Sequence, residues 1–223
     1  MPTKNLYMFV IATPMSSDDF WKNSKAAKFL SKLSNIEFKV IFDNKKGLSE
    51  IYNSFLVEKY KNYHIIFVHD DVIIEDLFLE DKLDKAFGRF SIVGLAGSKT
   101  CDPNALYAAW HLMAPRTDFV GEVTHSNGDY VWTNVFGPSD GRALVVDGLF
   151  IAVNVADALK NNLKFDEQFK FHHYDIDFCL SANQKKVKVG VEPVRVVHFG
   201  LGNSMNSEEW DNSNILFKKK WGK

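Results

Sequence analysis

The chain has 223 residues, 46% of them hydrophobic and 14% aromatic, with 19 phenylalanines, enough apolar mass to fill a globular core. A formal net charge of -1 offers no basic field for nucleic acid, and two cysteines, Cys101 and Cys179, exclude both a disulfide framework and a four-cysteine zinc site. No apolar run approaches the roughly 18 residues of a membrane helix, and no small-residue cleavage site follows the first apolar run, so the expectation is a cytoplasmic protein with two inert thiols.

Leu6–Ala12 is unbroken apolar, the pattern of a strand covered on both faces. Helical spacing follows over residues 18–33, where Phe20, Trp21, Ala27, Phe29, Leu30 and Leu33 are interleaved with lysines. Residues 38–42 predict a second strand, 47–60 a second helix, and 64–68 a third strand that stops at His69-Asp70-Asp71. A charged amphipathic helix over 75–87 and a strand over 91–96 complete a β-α-β-α-β-α-β order. That order predicts an α/β fold with a mainly parallel sheet flanked by helices. In such sheets the ligand crevice lies beyond the carboxyl ends of the strands, where the paired aspartates fall.

Residues 97–142 change character, being rich in Trp, Tyr, Phe, Asn, Asp and Gly. Short strand-like pieces at 107–110 and 130–132, with turn signals at Gly97 and from Gly137 to Gly141, predict hairpins and loops folding over the crevice. A strand over 143–153, helices over 155–161 and 174–185, strands over 187–191 and 194–198, and a C-terminal amphipathic helix over 207–221 follow. Neither a repeat nor a linker interrupts the chain, which predicts one domain over residues 1–223.

Three polar clusters end apolar strands or open helices: Asp70-Asp71, Asp175-Ile176-Asp177, and His198. Adjacent carboxylates in a partly dry crevice repel, which raises one pKa or calls for a cation. Mg²⁺ and Mn²⁺ accept oxygen ligands and often use one or two carboxylates plus substrate phosphates, and an imidazole suits Mn²⁺ as well. Each cluster also has a plain structural alternative. Asp70-Asp71 can close a turn before a helix, Asp175 or Asp177 can serve as an N-cap or first-turn acid, and His198 can be a satisfied core histidine.

The order and spacing of these segments resemble family 2 glycosyltransferases of the GT-A fold, in particular their short single-domain branch. Asn44 with Gly47-Leu48-Ser49-Glu50-Ile51-Tyr52-Asn53 is similar to the family's nucleotide-binding segment. Phe67-Val68-His69-Asp70-Asp71-Val72 resembles its Asp-x-Asp metal motif. Phe165-Asp166-Glu167 with Tyr174-Asp175-Ile176-Asp177-Phe178-Cys179-Leu180 resembles its acceptor-side block, and Val197-His198-Phe199-Gly200 its later metal-binding histidine. Three positions depart from the pattern. His69 stands where the first Asp is usual, Tyr174 where a Glu precedes the catalytic Asp, and Ser181 where an Arg is usual.

The resemblance implies a nucleotide-sugar-binding half, residues 1–99, and an acceptor-side half, residues 100–223. It implies Mn²⁺ or Mg²⁺ held by Asp71 and His198, Asp70 on the donor, and Asp175 as the general base of an inverting transfer. Asp43, Asn44, Asn53, Asp147 and Gly148 are the further donor-binding candidates, and the loop at Asn203-Ser204 is expected to close over the diphosphate. The expected donor is a UDP-sugar and the acceptor a saccharide or a lipid-linked one. Trp110, Trp132 and Tyr130 are candidates for sugar stacking or, alternatively, for the core. Lys218-Lys219-Lys220 reads as a solvated helix end favoured by the helix dipole, with contact to an anionic membrane surface as the alternative. Two rival functions are an inactive nucleotide-sugar-binding protein on the same scaffold and a metal-dependent hydrolase or nucleotidyltransferase. Residues 12–19 contain no glycine, which argues against a phosphate loop of the latter kind.

Overall fold

The structure, a computed structural model, describes residues 5–33, 36–200 and 207–223. The first half runs β1 (Leu6–Ala12), α1 (Ser17–Asn23), α2 (Lys25–Leu30), β2 (Glu37–Ile41), α3 (Leu48–Asn53) and β3 (Tyr63–Val68). It continues with β4 (Val72–Ile74), α4 (Leu79–Phe87), β5 (Ile92–Gly94) and β6 (Ala96–Ser98). The second half holds β7 (Phe119–Ser126), β8 (Val131–Val135), β9 (Gly141–Ala143), β10 (Val145–Val146) and β11 (Phe150–Asn154). After these come α5 (Val155–Lys160), α6 (Tyr174–Gln184), β12 (Val189–Val191), β13 (Val196–His198) and α7 (Glu208–Trp221).

Seven strands form one sheet in the order β2-β1-β3-β11-β5-β12-β9. β1 is parallel to β2 and β3, and β5 to β12, while β11 is antiparallel to both its neighbours and β9 to β12. Five of the seven strands, β1, β2, β3, β5 and β12, therefore run in one direction and only β11 and β9 in the other, so the sheet is mainly parallel with two reversed strands. β11 leaves the crevice rim, where the His69 N–H donates to the Leu149 carbonyl, and so descends along β3 from Val68 towards His64. The second sheet has the order β10-β6-β7-β13-β4, with β8 paired to β7. β1 and β3 are filled by side chains with no exposure, among them Phe9, Val10, Ile11, Ile65, Ile66 and Phe67. Each such side chain contributes about 1.5–3 kcal/mol by leaving water. They form the middle of a contiguous core that also takes in residues of α2, α3, α5 and α6.

Several predicted elements are broken by contacts distant in sequence. The helix expected over 18–33 is two, because Ser24 is extended: its hydroxyl accepts the Ala26 N–H at 3.1 Å and donates to the Asp70 carbonyl at 2.7 Å. The helix expected over 47–60 ends at Asn53 and gives way to a 3₁₀ turn at Glu58–Tyr60. The one expected over 75–87 starts at Leu79; before it the Asp76 carboxylate accepts the N–H groups of Phe78 at 2.9 Å and Arg195 at 2.8 Å. Residues 107–110 form no strand, the Ala108 N–H being held by the Asn214 side chain at 2.9 Å. In β7, Gly121 (φ 89°) passes so close to Leu95 that a Cβ would strike its carbonyl. Among the described residues no helix is long and apolar enough to cross a membrane. Burial pushes the Cys101 thiol up to about 12 and raises that of Cys179 further, so neither is nucleophilic at neutral pH.

Candidate functional site

The parallel strands β1 and β3 end together at Thr13 and His69, and the short β4 begins three residues later. β4 pairs antiparallel with β13 in a register that sets His198 opposite Val72, and the Phe199 N–H donates to the Asp71 carbonyl at 2.9 Å. His198 Nε2 thereby lies 3.3 Å from Asp71 Oδ2. Ligand atoms of His69, Asp71 and His198 all fall within 4.8 Å of one another, a grouping able to hold a metal ion. Two imidazoles and a carboxylate suit a first-row divalent ion such as Mn²⁺. Two further observations fit an ion there. Asp71 Oδ1 and His198 Nδ1 are buried without a partner, and a Cβ at Gly200 would come within 2.5 Å of His198 Nε2 and 2.7 Å of Asp71 Oδ2. A glycine keeps the space before the donor atoms open.

Burial alone would raise the Asp71 carboxyl and depress the His198 imidazole. Their mutual hydrogen bond and opposite charges outweigh it, so Asp71 ends below its usual range and His198 above. His69 is depressed by burial and stays neutral. The Tyr174 hydroxyl donates to the Gly148 carbonyl at 2.9 Å, so it accepts from His69 Nε2, 3.0 Å away. That bond selects the Nε2–H tautomer and leaves Nδ1 of His69 with the free lone pair.

α6 presents Asp175 in its first turn. The preceding His173 has a left-handed backbone (φ 64°), and its ring is held by the Ser213 hydroxyl at 2.7 Å. Such strain costs about 1 kcal/mol or more and is commonest at functional sites. Burial, followed by the charge of Asp147, pushes the Asp175 carboxyl up to about 7, against the partial relief of backbone amides including that of Gly148. Gly148 has no room for a side chain, since a Cβ would strike the Tyr174 hydroxyl. Asp147 accepts the Leu149 N–H at 3.0 Å and the Trp110 indole N–H at 2.8 Å. One crevice of about 410 Å³ contains His69, Asp71, Asp147, Gly148, Asp175 and His198. Among the described residues no lysine or arginine lines it.

Asp70 does not line this crevice: its carboxylate accepts the Thr13 hydroxyl at 2.5 Å, at the end of β1. Asp43 (φ 49°) and Asn44 lie at the same end, their N–H groups donating to the carbonyls of Met15 and Thr13. The Asn44 side chain closes a local turn on Lys46. Asn53 does not line this crevice: its amide donates to the Phe165 carbonyl and to Glu167, and its oxygen accepts the Phe165 N–H, so it clamps a loop. Asp177 is fully buried and binds Lys220 and the Trp221 indole, each at 2.7 Å. Lys220 thus ties α7 to α6 and is not a free membrane-facing cation, while the loop expected at Asn203-Ser204 lies outside the described residues. The sequence carried no signal for His69 as a ligand, because His69 occupied the place of a missing Asp. Tyr174 was equally hidden in place of a Glu, and only the fold brings its hydroxyl to His69, at 3.0 Å.

A family model described as Glycosyltransferase like family matches residues 23–220. No curated protein sequence matches the chain. Among solved structures, the crystal structure of A197 from STIV is 12% identical, with a TM-score of 0.47 and coverage of 87% of this chain and 86% of its own. The crystal structure of GalNAc-T7 with UDP, GalNAc and Mn²⁺ is 10% identical, with a TM-score of 0.57 and coverage of 98% of this chain. Only 48% of the GalNAc-T7 chain is covered, so this chain spans about half its length. At such identity the likeness is one of fold, the GT-A-like α/β arrangement.

Proposed function

The chain belongs to the glycosyltransferase-like family, and on that premise we propose that it moves a sugar from a nucleoside diphosphate, a UDP-sugar first, to an acceptor hydroxyl with inversion. The observation that carries the reading is the single crevice holding His69, Asp71 and His198 together with Asp175, whose carboxyl is pushed up to about 7. His69, Asp71 and His198 would hold a divalent cation, Mn²⁺ or Mg²⁺, which when bound offsets the charge of a departing diphosphate. A carboxylate with a pKa near 7 is a far better proton acceptor than an ordinary aspartate, and Asp175 takes the proton of the attacking hydroxyl, worth about 10²–10⁴ in rate. Tyr174 acts through His69, setting its tautomer. Asp147, fixed by Trp110 and the Leu149 amide, and Gly148 with its close backbone border the sugar. Asp70, Asp43 and Asn44 stand at the end of β1 and β3 where the nucleoside would lie.

Because among the described residues no lysine or arginine lines the crevice, the charge of the diphosphate falls on the cation, and the dependence on metal should be near absolute. The test is calorimetry of UDP with and without Mn²⁺, followed by UDP release from UDP-sugars in the presence of an acceptor panel. Mn²⁺-dependent binding and acceptor-dependent release are expected, with release lost in Asp175→Asn. UDP binding indifferent to Mn²⁺ would refute the metal site. Release at the same rate without any acceptor would make the protein a hydrolase, and binding without release on any acceptor a nucleotide-sugar-binding protein.

A further inference from the structure

The second sheet carries a row of rings outward from the metal cluster. In the strand register His198 of β13 is paired with His125 of β7, and His125 with Trp132 of β8. The rings follow: His198 to His125 at 5.3 Å between centroids, then His125 to Trp132 at 5.7 Å and nearly parallel at 19°. A second crevice of about 320 Å³ lies over this row, walled by Trp110, Phe136 and Asp147, with Asn134 on the same strand as Trp132. It shares Trp110, Asp147 and Leu149 with the crevice that contains Asp175, so the two communicate.

Core packing does not account for Trp132. Among the described residues its strand is bonded to β7 alone, every residue of it is exposed, and Trp132 itself is 41% exposed. A large aromatic left at the rim of an apolar crevice with a few convergent polar groups is the pattern of a ligand site. The spacing says which part of a ligand reaches it. Neighbouring strands are about 4.8 Å apart, so Trp132 stands about 10 Å beyond β13. A donor held by its diphosphate at His198 has one sugar ring, which covers the first interval only. The second interval is left for the acceptor. The chemistry of the lining then selects its class. Among the described residues no lysine or arginine lines this crevice, so a phosphorylated lipid finds no counter-charge, whereas a neutral pyranose has an apolar C–H face to lay on the indole and hydroxyls for Asn134 and Asp147.

We propose that the acceptor is a neutral saccharide whose ring stacks on Trp132 at the end of the His198–His125–Trp132 row; this rests on the transfer reading above. The experiment is saturation-transfer NMR with cellobiose, lactose and maltose as probes, in the presence of UDP and Mn²⁺, on the wild type, Trp132→Ala and Trp132→Phe. UDP affinity is measured separately by calorimetry. At least one disaccharide should receive saturation on its ring C–H protons, weakened about tenfold or more in Trp132→Ala and partly restored in Trp132→Phe. The UDP affinity should not move. Failure of UDP to bind the wild type with Mn²⁺ removes the transfer reading and the platform with it. UDP binding with no disaccharide signal, or a signal indifferent to Trp132→Ala, removes the platform alone. A loss of affinity for UDP-GalNAc in Trp132→Ala would assign the ring over Trp132 to the donor and overturn the proposal.

Discussion

Asp175→Asn should abolish transfer and at the same time stabilise the protein, and the size of the gain should depend on pH. The folded-state pKa is about 7 against a usual 3.8. Between those values the folded protein binds a proton that the unfolded chain has already lost, so stability falls as pH rises through that window and the penalty is complete above pH 7. At about 1.4 kcal/mol per pKa unit, the full penalty is about 4 kcal/mol. Asn has nearly the shape of Asp and carries no charge to desolvate, but its amide N–H₂ cannot accept the backbone N–H groups, that of Gly148 among them, that the carboxylate oxygens accept. Allowing about 1–2 kcal/mol for that mismatch, the net gain at pH 8 is about 2 kcal/mol. For a chain of this size that is a rise in Tm of about 4–8 °C. Urea denaturation at pH 4.5 and pH 8, without metal, measures it: the variant should match or fall below the wild type at the lower pH and exceed it at the higher. The wild-type transfer rate should in parallel be half-maximal near pH 7 and fall about tenfold per unit below it. A variant less stable than the wild type at pH 8, or a gain independent of pH, would mean that Asp175 is an ordinary ionised aspartate, and the assignment as base would go with it.

Gly200→Ala places a methyl group against His198 Nε2 and Asp71 Oδ2, so Mn²⁺ affinity read by paramagnetic resonance should fall about tenfold or more; unchanged affinity would put the ion elsewhere. Tyr174→Phe removes the hydroxyl between Gly148 and His69, leaving a buried carbonyl and an imidazole N–H unpaired. It should cost about 1–3 kcal/mol in urea unfolding and weaken Mn²⁺ binding by about tenfold, and a loss of stability with metal affinity intact would limit Tyr174 to the core. Asn53→Ala breaks the clamp on residues 165–167 and should cost about 2–3 kcal/mol with UDP affinity unchanged. The reverse outcome, weaker UDP binding at full stability, would return Asn53 to the donor.

What was legible in the sequence was what local patterns determine. β1 and β3 are covered on both faces, so their apolar runs marked them, and α7 opens with a serine whose hydroxyl accepts the Trp210 N–H at 3.1 Å. Elements set by distant partners were not legible. The break at Ser24 exists because its hydroxyl meets the Asp70 carbonyl 46 residues away. Residues 72–74, to which the sequence pattern assigns no element, become a strand because β13 offers them a partner. That pairing builds the metal cluster, since the β4–β13 register decides whether His198 arrives beside Asp71. A slip of one residue would turn its ring to the opposite face. The row from His198 through His125 to Trp132 is invisible in sequence for the same reason: 66 residues separate its ends, and only two strand registers align them.

The departures at His69 and Tyr174 have a common physical origin. Taken singly, a histidine in place of an acid loses a ligand, and a tyrosine in place of an acid loses a charge. In the fold the two side chains are bonded to each other at 3.0 Å. Two carboxylates at that distance could not both ionise without a large repulsion, whereas imidazole and phenol make a neutral hydrogen bond at pH 7. The pair also removes two negative charges from a crevice that still holds Asp71, Asp147 and Asp175. A crevice with fewer acids needs fewer cations to receive a diphosphate, which accords with the absence, among the described residues, of lysine and arginine from its lining. The substitutions would thus leave more of a diphosphate's charge to a cation held by His69, Asp71 and His198. Burial, followed by the charge of Asp147, sets the Asp175 carboxyl, and the Asp147 oxygens are already held by the Trp110 indole and the Leu149 amide.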